Sequence, residues 1–288
     1  MATQPARLRA TSPAADAALA RPRLDLSAAA LDEALGALAK GCEPLGGMER
    51  YVEALRAKAA LYADAFRGGA EGLTRQAFLQ LCAFMPTVRR RIAPYTDEAG
   101  FATMRQGLAR VIDGDALTSD ARVARFCALY PQDREHRFVR DIAAEVLHNV
   151  YPEAYPLMTR WVWDAKAGSG VLRELWHGEG DEFGEIRVPD GYATFLMLRE
   201  ELSQYLTGAG VYRDVTFYVD LLCAQVYANY ISSQGGAYLR TDFSAAEDSM
   251  EHTRRMLGLD GVRAGSNRSR LKAIDGEAFV IAESNLLS

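Results

Sequence analysis

Apolar residues recur at helical spacing along most of this chain. Ala28–Lys40 and Met48–Phe66 carry them at three- and four-residue intervals, and Gly68-Gly69 closes the second segment. The pattern continues through Leu73–Met85, stopped by Pro86, and through Glu98–Ile112. Ser119 reads as the N-cap of Asp120–Tyr130, which ends at Pro131, and Gln132–Val150 follows, bounded by Pro152. Glu153–Lys166 predicts a short aromatic helix broken by Gly168-Ser169-Gly170, and Val171–His177 a brief helical piece before a polar loop. Gly191–Leu206 and the apolar Val211–Ser233 come next, then Ala245–Leu257, for which Ser244-x-x-Glu247 forms a capping box.

The end of the chain has a different pattern. Leu271–Ala273 and Ala278–Ala282 flank an Asp275-Gly276 pair suited to a tight turn, so a small C-terminal β-hairpin is expected. The fold class that follows is mainly α, a multi-helix globular bundle with that hairpin appended. Residues 1–24, rich in Ala, Pro, Arg and Ser, read as a disordered N-terminal tail. Residues 25–288 read as a single helical domain, with a conceivable sub-boundary near residues 115–120.

Composition narrows the class. A balance of 49% hydrophobic and 25% charged residues is that of a soluble globular protein. A net charge of −5 argues against a polybasic membrane binder or a general nucleic-acid coat. Only Lys40, Lys58, Lys166 and Lys272 are lysines among 33 basic residues, a bias that fits a GC-rich bacterial genome and weakens any arginine cluster as a phosphate signal. Cys42, Cys82, Cys127 and Cys223 are scattered without a CxxC pair, which fits reduced, buried thiols and a cytoplasmic location. The longest apolar stretch, Val215–Ile231, is interrupted by Asp220, Gln225 and Asn229 and reads as a buried core helix, not a membrane span.

Chemistry concentrates between Asp141 and His177. Two of the four histidines stand three positions after a glutamate, in Glu145-x-x-His148 and Glu174-x-x-His177, so each pair shares a helix face. Asp141, Glu145 and His148 also fall at i, i+4 and i+7, one stripe of a helix. Carboxylate oxygens mixed with imidazole nitrogen suit iron or manganese. The two pairs resemble the pattern of ferritin-like di-iron proteins, which implies a metal-binding protein or oxidoreductase using Asp141, Glu145, His148, Glu174 and His177. Where that family carries a further long helix with a glutamate, this chain has Pro152, Pro156 and a glycine-serine break.

Other segments supply alternatives. Tyr155, Arg160, Trp161 and Trp163 lie in an aromatic-cationic stretch; on a helix the two tryptophans would face different sides, leaving one for a protein partner. Its wording Pro152-x-x-Tyr155-Pro-Leu-Met-x-Arg160 resembles a segment of helix-hairpin-helix DNA glycosylases, but no Gly-x-Gly hairpin precedes it and Thr159 stands where an acid is expected. Arg89-Arg90-Arg91 and the Arg268/Arg270 run are the sites where nucleic acid or nucleotide phosphate would bind. Asp220, in the most apolar helix, requires a buried ion-pair partner, for which an arginine or a core tyrosine such as Tyr212 or Tyr218 is expected. No Gly-x-Ser-x-Gly elbow, Walker A loop, Rossmann fingerprint or His-Glu-x-x-His occurs. The leading expectation is an accessory or partner-binding factor; metal binding and DNA or nucleotide binding are the alternatives.

Overall fold

The structure, a computed structural model, describes residues 16–113, 117–177, 185–238 and 250–260. Among them are ten α-helices: α1 (Ala28–Cys42), α2 (Met48–Ala65), α3 (Arg75–Ala83), α4 (Glu98–Ile112), α5 (Ser119–Cys127), α6 (Phe138–Val150), α7 (Val171–Leu175), α8 (Tyr192–Gly208), α9 (Val215–Tyr238) and α10 (Glu251–Met256). Local chemistry starts four of them: the side chains of Ser27, Thr74, Asp97 and Thr118 accept the amides of Ala30, Ala77, Gly100 and Ala121. The expected hairpin at 271–282, the Ser244 box, Arg268 and Arg270 lie outside the described residues.

Two helices organise the bundle. α6 packs against α2, α4 and α5, whereas α9 packs against α1, α2, α7, α8 and α10. α2 therefore touches both hubs. Every residue of α6 except Arg140 is buried, and one apolar cluster runs from Leu24 to Leu259. No helix among the described residues is long and apolar enough to cross a membrane.

Several expectations change. Segment 153–166 is not a helix. Pro156 has no amide to donate, and residues 161–172 fold back on themselves: Val171 and Leu172 donate to the carbonyls of Trp161 and Val162, while Asp164 pairs with Ser169. Gly170 sits at φ +122 with the Val162 carbonyl only 2.7 Å from where a Cβ would stand, so this crossover requires glycine. Thr118, not Ser119, caps α5. Ser119 is buried and donates its amide to Asp16 at 2.8 Å, which fastens residues assigned to the tail. Leu24, at the end of the segment read as a tail, is buried; just beyond it Leu26 bridges to Trp176, and Asp25 and Ser27 bond the backbone of His177 and Leu175. α6 begins at Phe138, because Asp133 accepts the amides of Glu135 and His136 and holds the preceding residues in a tighter turn.

Candidate functional site

The stripe expected on α6 exists. Asp141, Glu145 and His148 are all buried in the centre of the bundle, with Asn149 beside them. Buried ionised groups require counter-charges and hydrogen bonds, and each of the three finds its own.

Asp141 is paired with Arg160, whose Nη2 lies 3.0 Å from Oδ2. Glu145 meets Lys58 of α2: Nζ stands 2.9 Å from Oε2, with both side chains buried. Lys58 also donates to the Leu257 carbonyl at 3.0 Å, and Asn149 donates to Glu145 Oε2 at 3.0 Å. This pair thus ties together α2, α6 and the segment after α10.

His148 has both ring nitrogens engaged. Nδ1 lies 2.9 Å from the Tyr155 carbonyl, which accepts only, so Nδ1 carries the proton. Nε2 lies 2.8 Å from Asp220 Oδ2 on α9. Burial alone pulls the imidazole towards its neutral form. The Asp220 charge and hydrogen bond and the Tyr155 carbonyl outweigh it, and His148 titrates above its ordinary range. The geometry is therefore that of an imidazolium–carboxylate pair. Asp220 has the buried partner that its setting demands, but the partner is His148, not an arginine or tyrosine. Tyr212 is exposed instead.

Asp220 also lines a cleft with Pro156, Leu157, Phe195, Leu198 and Val219, which has room for about one ordered water. Cys223 borders the same cleft, where burial pushes its thiol up and favours the protonated form.

The other expected ligands do not join this stripe. Glu174 is half-buried on α7, its carboxyl raised by burial, and His177 is exposed just beyond α7. Among the described residues no group of three or more His, Cys, Asp or Glu side chains is arranged to hold a metal ion. The physical reason is visible on α6, where nearby cations and hydrogen-bond partners already engage the oxygens and nitrogens a metal would need.

The aromatic-cationic stretch is interior. Trp161 and Trp163 are both buried, the Trp163 indole donating to the Val188 carbonyl at 2.9 Å and Trp161 packing 6.0 Å from Tyr227. Helical face geometry does not apply there, because the backbone is a folded-back loop. Tyr155 is fully buried, its hydroxyl accepting from Arg122 at 2.8 Å. Arg89 is buried too and grips Asp260 through two bonds of 2.8 and 2.7 Å, a bidentate fork that leaves it unsuited to phosphate. Arg90 and Arg91 are exposed.

Sequence reasoning missed Lys58 altogether. A single lysine inside an apolar helical pattern, in a chain with four lysines, was the available signal. It also passed over Asp133-x-x-His136, although His136 is one of four histidines.

No protein-family model, curated protein or solved structure matches this chain.

Proposed function

We propose that the chain is a helical accessory factor that binds a protein partner, and that it does so through the turn joining α8 to α9. The observation that carries this reading is Tyr212. It is 75% exposed, and among the described residues Leu129, at 41%, is the only other large hydrophobic side chain left exposed. Arg213, also exposed, follows it.

The turn is built to present these side chains. Gly210 at φ +95 ends α8, with the Val211 amide reaching back to the Leu206 carbonyl at 2.9 Å, a Schellman closure. Asp214 then takes φ 54 and its carbonyl accepts the amides of Phe217 and Tyr218, launching α9. Tyrosine and arginine are the residue types that dominate binding energy at protein interfaces, and a pre-formed turn loses little entropy on docking.

The test is affinity capture from the native lysate with the full-length chain, followed by titration of the captured partner. Tyr212→Ala and Arg213→Ala are each expected to weaken binding at least tenfold, about 1.4 kcal/mol, with Leu129→Ala near neutral. Unchanged binding by Tyr212→Ala, or a chain that captures nothing reproducibly, refutes the proposal. Trp161→Ala and Trp163→Ala are expected to act through folding, not through this surface.

A further inference from the structure

A polar constellation outside the α6 stripe and the α8–α9 turn has the form of a proton relay. Three side chains form a hydrogen-bonded chain: Asp133 and His136, just before α6, and Tyr95, in the turn before α4. His136 Nδ1 is 2.7 Å from Asp133 Oδ1, and His136 Nε2 is 2.6 Å from the Tyr95 hydroxyl. A carboxylate only accepts, so Nδ1 carries the proton, and in the neutral imidazole Nε2 then has its lone pair for the tyrosine hydroxyl. Asp133 is fixed in turn, because the same oxygen accepts the amides of Glu135 and His136 at 2.9 and 3.0 Å. The His136 bond holds the Asp133 carboxyl below its ordinary range.

The relay is partly exposed, and the tyrosine ring is held by packing. The His136 side chain is 14% exposed and Asp133 54%. The Tyr95 ring, half-buried, rests against Tyr130 and Phe138 at 5.8 and 5.7 Å. Orienter, base and hydroxyl in this order are the arrangement that activates a nucleophile. Arg90 and Arg91 are exposed on the loop leading to Tyr95, and Arg134 is exposed next to Asp133.

We infer that Tyr95 is a nucleophile for phosphate esters, with His136 as its base, Asp133 as the positioning residue, and the exposed arginines as the cationic surround. Tyr95 Oη attacks phosphorus and its proton passes to His136 Nε2. The ester P–O bond breaks, and the leaving oxygen takes that proton. Water then attacks the phosphotyrosine by the same route: its proton goes to Nε2, the Oη–P bond breaks, and Tyr95 recovers a proton.

Two measurements on the full-length chain test this independently of the α8–α9 turn. In the first, an aryl sulfonyl fluoride is the probe and the labelled tyrosines are mapped by mass spectrometry. Tyr95 is expected to react at least tenfold faster than the exposed Tyr212, with a rate that falls as the imidazole is protonated. His136→Gln slows Tyr95 at least tenfold. Asp133→Asn keeps an acceptor for the two amides, so it slows labelling and alters the pH profile without changing the melting temperature. In the second, release of 4-nitrophenolate from bis(4-nitrophenyl) phosphate is lost in Tyr95→Phe. Equal labelling of Tyr95 and Tyr212, or a wild-type rate in His136→Gln, overturns the nucleophile. Labelling without nitrophenolate release overturns phosphate esters as the substrate class.

Discussion

Replacing Lys58 by methionine isolates what the buried pair on α2 and α6 contributes. At the 2.9 Å separation of Nζ and Oε2, the direct attraction is about 6 kcal/mol at an effective dielectric constant of ~20. Desolvation of both ions offsets most of it, so the pair as a unit is close to neutral against a well-packed apolar pair. Lys58→Met removes only one partner. Glu145 then stays buried with Asn149 alone, and the Leu257 carbonyl loses its donor. Stranding a buried charge costs about 3–5 kcal/mol, and Glu145→Met, which strands the ammonium, falls in the same range. Lys58→Met/Glu145→Met strands no charge. Its cost is expected to be well below the sum of the two single costs, leaving roughly 1–3 kcal/mol for the orphaned Leu257 carbonyl. The assay is a double-mutant cycle by urea denaturation followed by circular dichroism. The expected coupling is at least about 2 kcal/mol, and the single variants should melt on the order of 10 °C lower. A coupling under about 0.5 kcal/mol, or a Lys58→Met cost under about 1 kcal/mol, refutes the assignment of Glu145 as a charge held by Lys58.

Two further outcomes are expected. His148 titrates higher in the folded chain than the ordinary histidine value of about 6.5, so its pairing with Asp220 contributes stability that is complete below that value and lost as pH rises through the folded one. Urea midpoints taken across that window should fall with rising pH in the wild type and flatten in Asp220→Asn; an unchanged slope in that variant contradicts the paired imidazolium. Gly258→Ala should detach the segment after α10, since Gly258 holds φ +75 and an added Cβ would stand 1.8 Å from the Phe84 carbonyl oxygen. Hydrogen exchange in residues 250–260 should rise sharply while α6 stays protected, and wild-type protection there would show that the contact is not needed.

The helices were legible because their signals are local. Ser27 and Asp97 are short polar residues standing just before the expected starts at Ala28 and Glu98, whereas α3 starts two residues later than expected, after Thr74, and ends at Ala83, before Pro86. What was not legible depends on residues distant in sequence. Asp220 announced that it needed a partner, but His148 lies 72 residues away and both nitrogens of that ring had to be placed before the pairing could be seen. The two tryptophans were assigned to opposite faces of a helix that Pro156 and Gly170 prevent, so burial of both could not be anticipated. Asp16 was read as part of a polar tail because composition cannot show that its carboxylate receives the Ser119 amide.

The stripe on α6 shows why ligand spacing alone does not make a metal centre. The intervals among Asp141, Glu145 and His148 guarantee only that the three side chains leave one side of a helix. What they meet is decided by the neighbouring elements, and here those supply opposite charge at each step: Arg160 to Asp141, Lys58 to Glu145, Asp220 to His148. A carboxylate-bridged metal pair requires the facing helices to add acids, so that several lone pairs converge on one cation. α2 presents Lys58, and its ammonium already stands at hydrogen-bonding distance from the glutamate oxygen that a metal would take. A cation entering beside Glu145 would have to displace a buried positive charge, and one approaching His148 would have to break the bond to Asp220. The same three residues that resemble a ligand set from their spacing are, in their surroundings, the anchors that join α6 to α2, to α9 and to the loop before α7.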